Sequence, residues 1–147
     1  MMIPHVVNTE ADKVFVNFLN VQAVTANSGD SVVWDTGTPD GVRATQPITA
    51  TLGLFVGIVD VDVPAGNYGL AQVYGYRASA LVTNETNVTL ALGDILTPFT
   101  GADYLKYSAD STNKKGLYGN VFIAEAVASA VTTLVAATLK KVFLKAL

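Results

Sequence analysis

Hydrophobic positions along this chain cluster in runs of four to eight residues separated by Gly, Asn, Asp and Pro, the layout of a β protein. The run "KVFVNFLNVQAV", residues 13–24, is rich in Val and Phe and lacks a helix-capping start, so it predicts one long strand or two short ones. After the turn "NSGD", "SVVWDTGTPDGV" predicts a short strand over 31–35 and then a hairpin signal at Asp40-Gly41, which leaves Trp34 near a strand end. "GLFVGIVDVDVPAGNYG" alternates, with Val59, Val61 and Val63 expected on one face and Asp60 and Asp62 on the other. A turn over Gly66–Gly69 leads into a strand over 70–82. That strand is expected to carry Tyr74, Tyr76, Ala78 and Ala80 on one face, with Gly75 marking a bulge or a close backbone approach.

The second half follows the same style. "NETNVTLALGDILTPF" predicts a turn, a strand over 88–92 and a Gly93-Asp94 turn. Residues 100–120 are the most polar stretch and are expected to form an exposed loop. The run 121–139, "VFIAEAVASAVTTLVAATL", fits either a short amphipathic helix, with Ile123, Val127, Val131, Leu134 and Thr138 roughly on one face, or strands separated by a turn. "KKVFLKAL" alternates Val142 and Leu144 against Phe143 and Lys145, which predicts a closing strand. No internal repeat stands out. The expected fold is therefore mainly β, a small β-barrel or sandwich over residues 13–147, preceded by a flexible arm over residues 1–12, with room for one short helix near the end.

Composition narrows the function classes. Only 14% of the 147 residues are charged and 50% are apolar, so the polar surface rests on Thr, Asn, Ser and backbone groups, which suits packing against neighbours. Net charge is −3, and residues 1–125 hold six Lys/Arg against twelve Asp/Glu. Nucleic-acid binding needs clustered cations, so no nucleic-acid partner is expected. The run 121–139 is long enough for a bilayer, but Glu125 and its many Ala and Thr residues make it a poor span, and no membrane partner is expected. The start lacks the basic and apolar regions of a secretory leader, so the two Asn-x-Thr sequons at Asn84 and Asn87 read as turn and strand residues.

Catalytic chemistry finds few parts. There is no cysteine, and the single histidine, His5, lies beside Pro4 in the arm, so a nucleophile with an activating base is not expected. Asp60 and Asp62 would lie one strand repeat apart, where a solvated face is the favoured reading over a shared cation. The chain is therefore expected to be no enzyme and to use no cofactor and no metal. Its aromatics are the remaining candidates: Tyr74 and Tyr76, near Tyr68 and Trp34, fit burial in a core, a protein contact or stacking on sugar rings.

Five ordered stretches, "GDSVVWDTGTPDGVRATQP", "FVGIVDVDVPAGNYGLAQVYGYRASALV", "LGDILTP", "IAEAV" and the final "KKVFLKAL", resemble the capsid decoration, or cement, proteins of tailed bacteriophages. The resemblance runs from about residue 29 to the end and rests on the Gly-rich turn at Gly66–Gly69, the aromatic-Gly pair within Val73–Gly75, the Gly93-Asp94 turn and the closing Val142–Leu147. It implies a compact β domain, made in the host cytoplasm, that binds the outer surface of the phage head as a virion component. The implied partners are the major capsid protein and sister copies, with a homotrimer favoured. Ile3, Pro4, His5, Val6 and Val7 of the arm, with Trp34, Tyr68, Tyr74 and Tyr76, are then the expected capsid or subunit interface. The alternatives are a carbohydrate-binding module using the tyrosine face, or another virion part from tail or neck.

Overall fold

A computed structural model describes residues 13–84, 90–107, 121–124 and 138–146. The protein is mainly β, as its period-two patterns predict, and its strands close into barrel-like rings. The strands are β1 (Val14–Asn20), β2 (Ser31–Trp34), β3 (Arg43–Thr45), β4 (Phe55–Val59), β5 (Tyr68–Asn84), β6 (Ile95–Pro98), β7 (Leu105–Tyr107), β8 (Val121–Ile123) and β9 (Thr138–Lys145). One 3-10 turn, Leu52–Leu54, precedes β4. The expected arm and most of the 121–139 run, including any helix there, lie outside the described residues. Strand β7 falls inside the stretch expected as loop, and its Leu105 is fully buried.

The nine strands form one sheet in the order β1-β3-β2-β4-β5-β7-β6-β8-β9, with further pairings β1–β5 and β5–β9. Those two pairings close the sheet twice. The first ring is β1-β3-β2-β4-β5; the second is β5-β7-β6-β8-β9. Closure removes free sheet edges, and the 17-residue β5 achieves it by serving both rings, its first half pairing with β1 and β4 and its second with β7 and β9. At the junction Gly75 sits at φ 96°, a left-handed backbone that suits glycine.

The two rings repeat each other, which the sequence reading did not find. Writing the strands of each ring in chain order as a to e, both run a-c-b-d-e and close from e to a. In both, a and c are parallel (β1–β3 and β5–β7) and the other pairs are antiparallel. A constant shift of 64 positions, as from Gly29 to Gly93, superposes β2 on β6 and β4 on β8: Ser31 pairs with Ile58 as Ile95 pairs with Phe122, and Val32 with Gly57 as Leu96 with Val121. The turns before β2 and β6 match bond for bond. Gly29 N–H donates to Val59 O (3.0 Å) and Gly93 N–H to Ile123 O (2.9 Å); Val59 N–H donates to Asp30 O (2.9 Å) and Ile123 N–H to Asp94 O (2.9 Å). Asp30 and Asp94 each accept, through Oδ2, from the backbone N–H three residues back, at 2.7 and 2.6 Å. Gly29 and Gly93 both take positive φ, 96° and 86°.

Each ring has its own core. The first holds Val16, Phe18, Ala26, Val32, Val59 and Ala71; at matching positions the second holds Ala80, Val82, Leu90, Leu96, Ile123 and Val142. Burying an aliphatic or Phe side chain of this kind stabilises by roughly 1.5–3 kcal/mol, so each ring carries a self-consistent core. Phe55 and Ile58 of β4 are the exceptions, because they cluster with the second ring. They are the apolar cement between the two.

Two period-two expectations need correcting. A bulge between Arg77 and Ala80, at the position matching the Val14/Phe15 bulge, changes the phase of β5. Tyr74, Tyr76 and Ala78 share one face, as expected, and it is exposed, whereas Ala80, expected beside them, is fully buried in the second core. The alternation over 59–63 also fails: β4 stops at Val59, and Val61 is 61% exposed while Val59 and Val63 are buried. The cause is Arg77. Its buried guanidinium takes the carbonyls of Val59 (2.7 Å) and Asp60 (3.3 Å), the Asp60 carboxylate (3.0 Å), the Ser28 hydroxyl (3.2 Å) and, through Nε, Ser79 O (2.7 Å).

Candidate functional site

The outward positions of the second ring line up across four strands. On β5 the exposed Tyr76 lies opposite Phe143 of β9; Phe143 lies opposite Phe122 of β8; Phe122 lies opposite Ile95 of β6. Facing residues in a ladder point the same way, and Val142 and Leu144 on either side of Phe143 are wholly buried, so this row lies on the outer surface. Tyr74 joins it. Its ring meets Phe143 edge to face, centroids 5.5 Å apart at 77°. Tyr74, Tyr76 and Phe143 are 38%, 42% and 37% exposed, so each ring is half in contact with its neighbours and half in water. Lys145 opposite Tyr74 and the exposed Lys141 rim the belt with positive charge.

The expected interface residues therefore separate. Tyr74 and Tyr76 come together, as expected. Tyr68 is 61% exposed but sits opposite Leu19 of β1, six residues along β5 from Tyr74, about 20 Å at strand rise. Trp34 ends β2 opposite Ala44 and packs half-buried on the first core. Ile3, Pro4, His5, Val6 and Val7 lie outside the described residues. Phe122, Phe143 and Ile95 were missed. Only the strand register gathers them, although the alternation in "KKVFLKAL" already placed Phe143 opposite to Val142 and Leu144.

No family model and no curated protein matches the chain. Chemistry must therefore be read from the side chains themselves. Among the described residues there is no group of three or more His, Asp or Glu placed to hold a metal ion. Asp60 and Asp62, the pair weighed for a cation, each serve the turn: Asp60 Oδ1 accepts from Arg77, and Asp62 Oδ1 accepts from Ser28 N–H at 2.8 Å. An open cleft beside them is lined by Lys13, Phe15, Ser28, Asp60, Gln72 and Arg77, but Arg77 spends its donors on the protein. No helix among the described residues is long and apolar enough to cross a membrane.

The contact between rings carries two perturbed carboxyls. Burial raises Asp30 to about 6, helped by the negative charge of Asp103 and Asp62 and opposed by hydrogen bonds from Asn27. Burial also raises Asp103, opposed by the hydrogen bond from Gln46 Nε2 (3.1 Å). The two acids are linked through Ser31, whose N–H and Oγ both donate to Asp103 O, at 2.6 and 3.1 Å. An acid whose folded pKa exceeds its unfolded value destabilises the fold when ionised, and that penalty lifts as pH falls through the folded pKa. Stability is thus expected to rise between pH 7.5 and 5 by about 1 kcal/mol from Asp30. Asp30→Asn keeps an acceptor for Asn27 N–H and should flatten this rise. Urea midpoints at both pH values check it, and a slope unchanged in Asp30→Asn would refute the assignment.

Proposed function

We propose that this protein is a virion structural component that docks on the outer surface of a phage head and stabilises contacts between major capsid subunits. The observation that carries the reading is the outward aromatic belt, Tyr74, Tyr76, Phe143 and Phe122, a contact surface unaccompanied by assembled catalytic chemistry among the described residues. Ordered resemblance to decoration proteins over residues 29–147 supports it, with sister copies and the major capsid protein as partners and the virion surface as location. Closed rings suit the task. They leave few open edges for indiscriminate pairing, and many modest contacts repeated over a shell resist its expansion collectively.

The belt is also the feature that would serve a carbohydrate-binding module. Against that use, Tyr74 and Phe143 stand at 77° to each other and so offer a sugar ring no flat platform at the centre of the belt. Deleting residues 2–12 is expected to lower occupancy on undecorated heads of the same virus by at least about tenfold in affinity while the strand signal in circular dichroism is kept. Electron microscopy of heads mixed with each form checks this; equal occupancy for the deleted form sinks the assignment of those residues to the shell.

A further inference from the structure

The repeated rings say what covers the belt. In the first ring the ladder row equivalent to Ile95–Phe122–Phe143–Tyr76 is Ser31–Ile58–Gln72–Phe15, paired in the same strand order, although on the shared strand the ladder sets Tyr76 in the place of Phe15 three residues off the shift of 64 that matches Val16 with Ala80. That row is buried: Ser31 and Ile58 at 0%, Gln72 at 1% and Phe15 at 8% exposure. Its β4 member, with Phe55, packs into the second ring's cluster, and its Ser31 end is held by the loop after β6 through Asp103. The Ser31–Ile58 half of this outer row thus already faces a following ring of the same build, while Gln72 and Phe15 border the cleft beside Lys13 and Arg77. The second ring has the same row, more aromatic, and its Tyr76 and Phe143 are 42% and 37% exposed.

We infer that the belt is the docking surface for the first ring of a second copy of this chain, joined head to tail. In the first ring, the loop matching the one that holds Ser31 is the β2–β3 hairpin, residues 35–42, which would seat against Ile95 of the neighbour. Charge agrees with that orientation. The 35–42 hairpin carries Asp35 and Asp40, with Arg43 paired to Asp40 at 3.0 Å, whereas β9 carries Lys140, Lys141 and Lys145 with no acid. Because the two contacting surfaces differ, the association is heterologous and closes only if its rotation divides a full turn. The inference does not rest on the shell reading, and its test contains no shell.

The chain has no cysteine, so single thiols report contacts directly. Thr38→Cys, at the exposed hairpin tip, and Ile95→Cys are purified separately, then treated with a short bis-maleimide alone and mixed, at about 200 µM to allow weak association. Cross-linked dimer is expected in the mixture and near background in each alone. Introducing Phe143→Thr into the Ile95→Cys chain should cut the mixed yield about tenfold, with the melting curve as a folding control. Should that chain melt early, Tyr76→Thr on the other strand takes its place. Self-linking by Ile95→Cys alone, a mixture no better than background, or a yield indifferent to the belt substitutions would each overturn the head-to-tail contact.

Discussion

Arg77→Ala is expected to lower folding stability by about 3 kcal/mol, the largest effect of any polar substitution in this protein. The guanidinium is held within the junction of the rings, 6% exposed at its side chain, and it ties three segments at once: the turn after β4 through the Val59 and Asp60 carbonyls, the turn before β2 through Ser28, and the β5 bulge through Ser79 O. Alanine removes the second donor to the Val59 and Asp60 carbonyls, which keep Gly29 N–H and Ser28 Oγ, and it takes the Arg77 partner away from Ser79 O and from the Asp60 carboxylate. Each buried unsatisfied polar group costs on the order of 1–3 kcal/mol, and partial hydration of the cleft side moderates the sum.

The ranking of related variants separates the carbonyl contacts from the ion pair. Asp60 is 39% exposed at its side chain, so its attraction to Arg77 is largely screened and Asp60→Asn should cost about 1 kcal/mol or less. Arg77→Lys keeps the charge but offers a single nitrogen where a planar fork reaches several acceptors, and should fall between, at about 2 kcal/mol. Denaturant midpoints with slopes held comparable decide it. If Asp60→Asn proved as costly as Arg77→Ala, the charge pair and not the carbonyl clamp would be the source of stability at the junction.

Local chemistry made part of this fold legible from the chain alone. Asp40-Gly41 forms the β2–β3 hairpin because Gly41 supplies φ 73° and Asp40 Oδ1 accepts from the N–H groups of Val42 (2.9 Å) and Arg43 (3.0 Å). The alternation in "KKVFLKAL" carries β9 for the same reason any half-buried strand is readable. The repeat stayed hidden because few positions keep their identity across the shift of 64, chiefly Asn20 and Asn84 at strand ends and Gly29-Asp30 and Gly93-Asp94, Thr36-Gly37 and Thr100-Gly101 in turns, with scattered matches such as Val24-Thr25 and Val88-Thr89. Strand positions need only be apolar and fit the pleat, so Val32 becomes Leu96 and Phe18 becomes Val82 without penalty. The belt was half visible. Tyr74 and Tyr76 share one strand, but Phe143, Phe122 and Ile95 meet them only through ladder registers, which are set by long-range pairing and leave no local mark.

Gly57→Ala is expected to cost about 3 kcal/mol or more, while Gly69→Ala should be partly rescuable, because the two glycines are crowded by different kinds of atom. A Cβ on Gly57 would run into the carbonyl oxygen of Gln72, part of the β4–β5 ladder of the first ring. The obstructing oxygen is backbone, so trimming the Val73 methyl that also stands at 3.2 Å does not remove it, and relief requires the ladder to part. A Cβ on Gly69 would meet the methyl groups of Val63. Val63 is held in place by paired backbone hydrogen bonds with Ala26, at 3.0 and 2.8 Å, so it yields little by itself, but its methyls can be removed. Val63→Ala alone should cost about 1–3 kcal/mol through lost burial. The double variant Gly69→Ala/Val63→Ala should cost less than the sum of the singles by at least about 1 kcal/mol, the signature of a shared contact. The pair Gly57→Ala/Gln72→Ala should show no such coupling, since the obstructing atom remains. Urea unfolding of the six variants supplies both cycles. Additive behaviour at Gly69, or a rescue at Gly57, would mean that the strands relax around an added methyl and that these close approaches do not constrain the first ring.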